Sequence, residues 1–152
     1  MTAAPTLSLE IVREELAAAA PFAAAAGLVI DATGLAEGNL RFVVTFVNRV
    51  GDRFPAEFDC RDYPAYPPTV EFLDETRTAR GLPLLYPNVF HPMPCVCARY
   101  NRKAYGERGG PHGEWRLVDW QLPTGNGVAV DSLVMMLSDL HSKIAASSGR
   151  IG

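Results

Sequence analysis

The chain begins with apolar residues that recur at spacings of three and four, which is typical of an α-helix with one buried face. This stripe consists of Leu9, Val12, Leu16 and Ala20. Ser8 precedes it, where a serine side chain can cap the first turn, and Pro21 is expected to end the helix.

Four segments with strand character follow, rich in β-branched and aromatic residues. They span residues 28–32, 40–48, 54–60 and 69–73. The turns between the first three are short and carry glycine or asparagine at Gly34, Gly38, Asn39 and Gly51. Short turns favour an antiparallel meander over parallel strands, which need long crossovers.

The pattern then changes. Residues 74–126 are dense in proline, glycine, tyrosine and arginine and show little periodicity, so they predict a long loop. Residues 128–144 place apolar side chains on one helical face and predict a second helix, and the glycines at 149 and 152 indicate a loose end. The whole chain, 1–152, is expected to form one α+β domain with a core over about 8–146: an N-terminal helix, a four-stranded antiparallel meander, a long active-site loop and a C-terminal helix.

Composition narrows the class of protein. The 152 residues carry a net charge of -3, so the chain lacks the excess of basic residues that is typical of nucleic-acid-binding proteins. No apolar run approaches the length of a membrane span, and the first residues do not have the pattern of a signal peptide. Three cysteines, an odd number, argue against a secreted disulfide framework and favour a reducing cytoplasm.

Four motifs, in order, resemble those of the ubiquitin-conjugating (UBC-like) family. Residues 62–72 read DYPAYPPTVEF: a Tyr-Pro, two residues, a Pro-Pro and then a strand. Residues 86–88 read Tyr-Pro-Asn, where the family has His-Pro-Asn. Val96-Cys97 follows, with the cysteine nine residues after Asn88, one more than in the family. Residues 120–123 read WQLP and are similar to the family's Trp-x-Pro element before its central helix.

The resemblance implies that Cys97 carries a ubiquitin-like modifier as a thioester, which an activating enzyme supplies and which passes to an amine of a target protein. Asn88 would donate its amide to the tetrahedral oxyanion or to the loop backbone; both roles stay open. Tyr86, in place of the family's histidine, is expected to alter loop packing near the modifier-binding site. No cofactor and no metal are expected.

The distance from Cys97 to Trp120 is more than twice the family's, because of an insertion at about 98–117 that carries several arginines. His112 within it, or Asp119 just after it, would orient or deprotonate the acceptor amine. The competing interpretation is a solvated basic loop. Arg13 on the first helix is the only cation of the surface that would dock the activating enzyme.

Three alternatives remain open at the level of sequence. Cys95, seven residues after Asn88, is a rival nucleophile. A non-catalytic UBC-like binding module has the same fold. A zinc-stabilised domain would use His91, Cys95, Cys97 and His112, which are suitable ligand types.

The short chain after the last helix and the alanine bias resemble minimal bacterial members from conjugation operons, several of them tied to defence against phage.

Overall fold

The computed structural model describes residues 5–123 and 127–152. Residues 1–4, and residues 124–126 where the predicted loop ends, lie outside the described residues. The elements in chain order are α1 (Pro5–Ala26), β1 (Val29–Asp31), α2 (Thr33–Ala36), β2 (Arg41–Val47), β3 (Arg53–Asp59), β4 (Thr69–Phe72) and α3 (Leu133–Ala145). The α+β class, the N-terminal helix, the four strands and the C-terminal helix are thereby confirmed.

The four strands form one antiparallel sheet in the order β1-β2-β3-β4. The register pairs Phe42 with Phe58 across β2 and β3, and their rings stack with centroids 4.9 Å apart. In β2, β3 and β4 every second residue is buried and belongs to the core, as the alternation of side chains along a strand requires: Phe42, Val44, Phe46, Phe54, Ala56, Phe58, Val70 and Phe72. The core therefore lies between one face of the sheet and the helix pair α1 and α3.

Helix α1 differs from the prediction at both Ser8 and Pro21. Ser8 is no cap: it lies inside the helix, fully buried, and its hydroxyl donates a 2.6 Å hydrogen bond to the carbonyl of Tyr63. Pro21 does not end the helix. It lies on the exposed side, so water can pair with the backbone carbonyl that receives no hydrogen bond from the proline. The helix ends at Ala26. Gly27 follows with a φ of 74°, which suits glycine, and the Leu28 amide closes the last turn on the Ala23 carbonyl.

The start of α3 was also predicted wrongly. The helix begins at Leu133, and residues 128–132 are not helical. Ser132 makes no capping bond with its side chain; instead, the Glu15 carboxylate of α1 accepts the Leu133 amide at 2.9 Å and the Tyr63 hydroxyl at 2.7 Å. A contact with the other helix therefore fixes the start of α3.

A short helix, α2, replaces the turn expected at Gly34. The Asp31 carboxylate accepts hydrogen bonds from the amide and hydroxyl of Thr33 and so holds its first turn. A Cβ at residue 34 would lie 2.6 Å from the Arg41 carbonyl oxygen, so only glycine allows α2 to approach β2 this closely.

The C-terminal end, expected to be loose, is docked. The backbone amide of Ile151 donates to the Tyr86 carbonyl at 3.0 Å, and the backbone amide of Asn88 donates to the Gly149 carbonyl at 2.8 Å. Among residues 5–123 and 127–152, no helix is both long and apolar enough to cross a membrane.

Candidate active site around Cys97

Cys97 lies on the connection between β4 and α3, directly after a tight turn. The backbones of His91 and Cys95 exchange two hydrogen bonds of 3.2–3.3 Å and close this turn. Val96 and Ala98, on either side of Cys97, are buried, whereas Cys97 itself is half-buried. The neighbours thus anchor the backbone while the thiol keeps access to solvent.

A buried asparagine holds this backbone to the sheet. Asn101 is 1% exposed; its Nδ2 donates to the Val96 carbonyl at 2.9 Å and its Oδ1 accepts the Val70 amide of β4 at 3.0 Å. The Val96 carbonyl belongs to the same peptide unit as the Cys97 nitrogen, so Asn101 sets the position of the thiol. Sequence reasoning missed this residue, because an asparagine in a loop rich in glycine and proline is also typical of a turn.

The Cys97 side chain lines a cavity of about 520 Å³. Its wall combines the loop after β4, the two tryptophans and one side of α3. The lining residues are Cys97, Ala98, Arg99, Tyr100, Trp115, Trp120, Leu122, Val128, Val130, Asp139 and Lys143. An aromatic wall, an apolar wall and a charged group thus meet beside a thiol, a combination suited to an elongated acyl chain and an amine.

The charged part of this cavity is built on α3. The Tyr100 hydroxyl donates to Asp139 Oδ2 at 2.7 Å, and Lys143 Nζ donates to the same oxygen at 2.8 Å. Burial raises the pKa of Tyr100 well above its usual range, so the hydroxyl stays protonated and able to donate. Sequence reasoning missed Asp139 and Lys143, since a polar pair four residues apart resembles any solvated helix face.

The three cysteines, all free thiols, differ in access. Cys60 is fully buried at the end of β3, and burial raises the pKa of its thiol well above its usual range. Cys95 is 6% exposed; burial, and next the neighbouring Cys97, raise the pKa of its thiol to about 12. Cys60 and Cys95 are buried, whereas Cys97 is half-buried and lines the cavity, so Cys97 is the accessible candidate nucleophile.

Asn88 and Tyr86 connect the loop to the C-terminal end. Asn88 Nδ2 donates to the Ser148 hydroxyl at 2.9 Å, and Asn88 Oδ1 accepts the Ser147 hydroxyl at 2.8 Å. The Tyr86 side chain is 2% exposed and packs on Phe72, with ring centroids 4.9 Å apart. In this arrangement Asn88 shapes the loop, and Tyr86 contributes packing.

The structure does not bring His112 and Asp119 to the thiol. Among the described residues, neither belongs to the lining of the Cys97 cavity. The His112 ring stacks on Trp115 at 3.8 Å between centroids, and its Nδ1 lies 2.7 Å from Glu114 Oε1. Asp119 ends the 3₁₀ turn Leu117–Asp119 just before Trp120. His112 therefore touches the cavity only through the Trp115 ring.

The insertion at 98–117 is more ordered than a solvated loop. Tyr100, Ala104 and Tyr105 are buried, and the His112 amide donates to the Ala104 carbonyl at 2.9 Å. A Cβ at Gly110 would lie 2.1 Å from the Lys103 carbonyl oxygen, so the insertion folds back on itself at a position that requires glycine.

Two further predictions concern Arg13 and a zinc site. The Arg13 guanidinium donates to the Leu35 carbonyl at 2.5 Å and borders an apolar groove between α1 and α2. His91, Cys95, Cys97 and His112 do not converge: within the described segments, no group of three or more His, Cys, Asp or Glu side chains is arranged to hold a metal ion. The geometry therefore gives the zinc alternative no support.

Comparison with known proteins adds no relative from which a role could be transferred. No family model matches the chain, and neither a curated protein nor a solved structure matches it.

Proposed function

We propose that the chain is a UBC-like conjugating enzyme whose Cys97 accepts a ubiquitin-like modifier as a thioester and passes it to an amine of a target protein. One observation carries this proposal: of three free thiols, Cys97 alone lines the cavity between the loop and α3. The order of helix, antiparallel meander, cysteine-bearing loop and helix supports it, together with the motifs at 62–72, 86–88 and 120–123.

The reaction consists of two exchanges at one carbonyl carbon. The Cys97 thiolate attacks the modifier's C-terminal thioester on the activating enzyme; a C–S bond forms as the enzyme's C–S bond breaks, and its sulfur leaves as thiolate. An amine then attacks the new thioester, and Cys97 leaves. Because the incoming bond is already activated, the thiol needs only a firm position and access, which Asn101 and the cavity supply.

In this proposal Asn88 acts through the loop backbone, because its amide is bonded to the C-terminal end. The activating enzyme docks on α1 at Arg13, and the modifier and target amine meet at the cavity. His112 and Asp119 do not line the cavity and have no role in this proposal. A free, working thiol fits a reducing cytoplasm, and we propose bacterial defence against phage as the setting.

The test uses ubiquitin and other ubiquitin-fold modifiers, each prepared as a C-terminal mercaptoethanesulfonate thioester. Non-reducing gels should show an adduct that a thiol reagent removes. Cys97→Ala should abolish it, and Cys95→Ala should retain it. Loss in Cys95→Ala alone would transfer the role to the other sulfur. Binding of a modifier without any adduct would favour the non-catalytic binding module.

A further inference from the structure

A second cavity lies on the outer face of the sheet, away from the core, where the insertion at 98–117 meets β4. Its volume is about 340 Å³. The described side chains that line it are all polar or charged, so a ligand there would be recognised by charge and hydrogen bonds rather than by apolar contact. The lining residues are Arg41, Glu57, Asp59, Arg61, Thr69, Glu71, Arg80, Arg102, Lys103 and Arg108.

The charge of this cavity is opposite in sign to that of the chain. Six cations and three carboxylates line it, a net charge of +3, whereas the 152 residues together carry -3. Three of the cations, Arg102, Lys103 and Arg108, belong to the insertion, and the other three belong to the sheet and its connections. A concave surface with such an excess of positive charge attracts anions.

The three carboxylates of the lining do not cancel this charge, because each already pairs with a cation of the same cavity. The pairs, at 2.5–3.4 Å, are Asp59 with Arg41 and Arg61, Glu57 with Arg80, and Glu71 with Lys103. These pairs leave two cations of the lining, Arg102 and Arg108. Arg102 reaches the more distant carboxylate of Asp62 at 3.9 Å, and Arg108 makes no ion pair within residues 5–123 and 127–152.

Arg102 is held at the cavity by contacts within the chain. Its side chain is 12% exposed. Its Nε donates to the Pro67 carbonyl at 3.0 Å, its Nη2 donates to the Arg61 carbonyl, and its guanidinium carbon lies 5.5 Å from the centroid of the Tyr66 ring. Nη1 has no hydrogen-bond partner among the described residues and remains free to donate. A guanidinium positioned in advance loses little conformational entropy when an anion binds.

Like charges converge on the same guanidinium. Burial lowers the pKa of Arg102 below its usual value, and the neighbouring charges of Arg108 and Arg61 act in the same direction, whereas Asp62 opposes them. A bound anion would supply the negative charge that this group of arginines lacks.

We propose that this cavity binds a small oligophosphate anion, held by the guanidinium groups of Arg61, Arg102 and Arg108. Five of its six cations are arginines, whose planar N–H groups match phosphate oxygens in pairs. Because the wall offers no apolar side chain for a base, the phosphates alone are recognised, whether they belong to an inorganic oligophosphate or to a nucleotide. The cavity shares no lining residue with the Cys97 cavity, and the inference does not rest on the proposed function.

The experiment titrates the intact protein with inorganic tripolyphosphate at low salt, by isothermal calorimetry. We expect saturable binding at one site, which weakens as salt is added because ions screen the charges. ATP and GTP, the nucleotide arms, should bind no more tightly than tripolyphosphate. Absence of tripolyphosphate binding, or binding of a nucleotide alone, would overturn the inference.

Variants locate the site. Arg108→Gln and Arg61→Gln should each weaken tripolyphosphate binding at least ~10-fold, since each removes a charge-assisted hydrogen bond. The matched control is Arg116→Gln, which removes the same charge from an exposed position of the same insertion outside the lining of both cavities, and it should bind as the wild type does. Thermal unfolding without the anion checks that each variant is folded.

Two outcomes would contradict this location. Equal weakening in all three arginine variants would mean that the overall charge of the protein, and not this cavity, attracts the anion. Loss of binding in Lys143→Gln, with Arg108→Gln unaffected, would place the anion in the Cys97 cavity. Cys97→Ala should bind tripolyphosphate as the wild type does, so a failure of the proposed acyl transfer leaves this result unchanged.

Discussion

The segments before and after Cys97 are attached to the rest of the protein by different kinds of contact. The side-chain hydrogen bonds between the upstream segment (residues 74–94) and the C-terminal end are made by the exposed Asn88, whose partners are hydroxyl and backbone groups. The buried Tyr86 ring of the same segment adds apolar packing on Phe72. The downstream segment (residues 98–123) is held by buried side chains that make hydrogen bonds, among them Tyr100, Asn101 and Trp120. Exposed hydrogen bonds compete with water, whereas buried ones leave an unpaired group when broken.

This difference teaches how the thiol is positioned. The contact that reaches the Cys97 peptide unit comes from the downstream side, through Asn101 and the Val96 carbonyl. The upstream side is bounded by the hydrogen bonds of the exposed Asn88 and by the buried Tyr86 ring, and neither reaches the Cys97 peptide unit.

The largest effect is expected from Asn101→Ala. It leaves the Val70 amide and the Val96 carbonyl unpaired in the interior, which should cost ~3 kcal/mol of unfolding free energy. The Cys97 position should also loosen, and thioester formation should fall. Urea unfolding and the mercaptoethanesulfonate assay measure the two effects. Asn39→Ala, at an exposed turn asparagine, is the matched control. A loss no larger than in the control would show that this buried amide does not hold the downstream segment.

Trp120→Phe should have the second-largest effect. The indole Nε1 donates to the carbonyls of Pro64 and Ala65 at 3.2 Å each, which ties the downstream segment to the link before β4. Phenylalanine keeps most of the apolar contact but loses the donor, at a cost of ~1–2 kcal/mol. Thermal unfolding compares this variant with Trp115→Phe, whose half-buried ring has no carbonyl acceptor among the described contacts. Equal losses in the two variants would mean that ring volume, not the N–H donor, holds the segment.

The difference between the two segments also explains what could be predicted from sequence. Strands β2 and β3 are recognisable because alternating Phe42, Val44 and Phe46 face one side, a local property of the chain. The start of α3 was missed because Glu15, 118 positions away along the chain, caps it. Local periodicity carries no information about such contacts.

The candidate site divides in the same way. Cys97 was predicted as the nucleophile from the order of the motifs, which is a local property of the chain. Asn101, Asp139 and Lys143 were not predicted, because their roles depend on a partner in another element or on the wall of the cavity. His112 was predicted as a catalytic residue from its residue type. Residue type alone does not tell in which direction the ring points once the insertion is folded.

A smaller effect is expected upstream. Asn88→Ala should reduce stability by ~1 kcal/mol, since the exposed Ser148 can bind water instead and the buried Ser147 hydroxyl keeps its hydrogen bond to the Gly149 carbonyl. A double-mutant cycle with Ser147→Ala should give a coupling energy of ~0.5–1 kcal/mol, measured by urea unfolding, with Ser142→Ala on the exposed side of α3 as the control. If Asn88 instead served the oxyanion, Asn88→Ala would slow acyl transfer far more than it lowers stability. Ser147→Ala would then leave the rate of transfer unchanged.

The smallest effect should come from the charges of the downstream segment. Lys103 pairs with Glu71 of β4 at 2.7 Å, but half of the Lys103 side chain is exposed, so solvent and salt screen the pair. A double-mutant cycle of Lys103→Met and Glu71→Gln should give at most ~0.5 kcal/mol, falling further in high salt. A coupling as large as the loss in Asn101→Ala would reverse the comparison. It would mean that the arginines and lysine of the insertion, rather than its buried amide and indole, fasten the segment that follows the thiol.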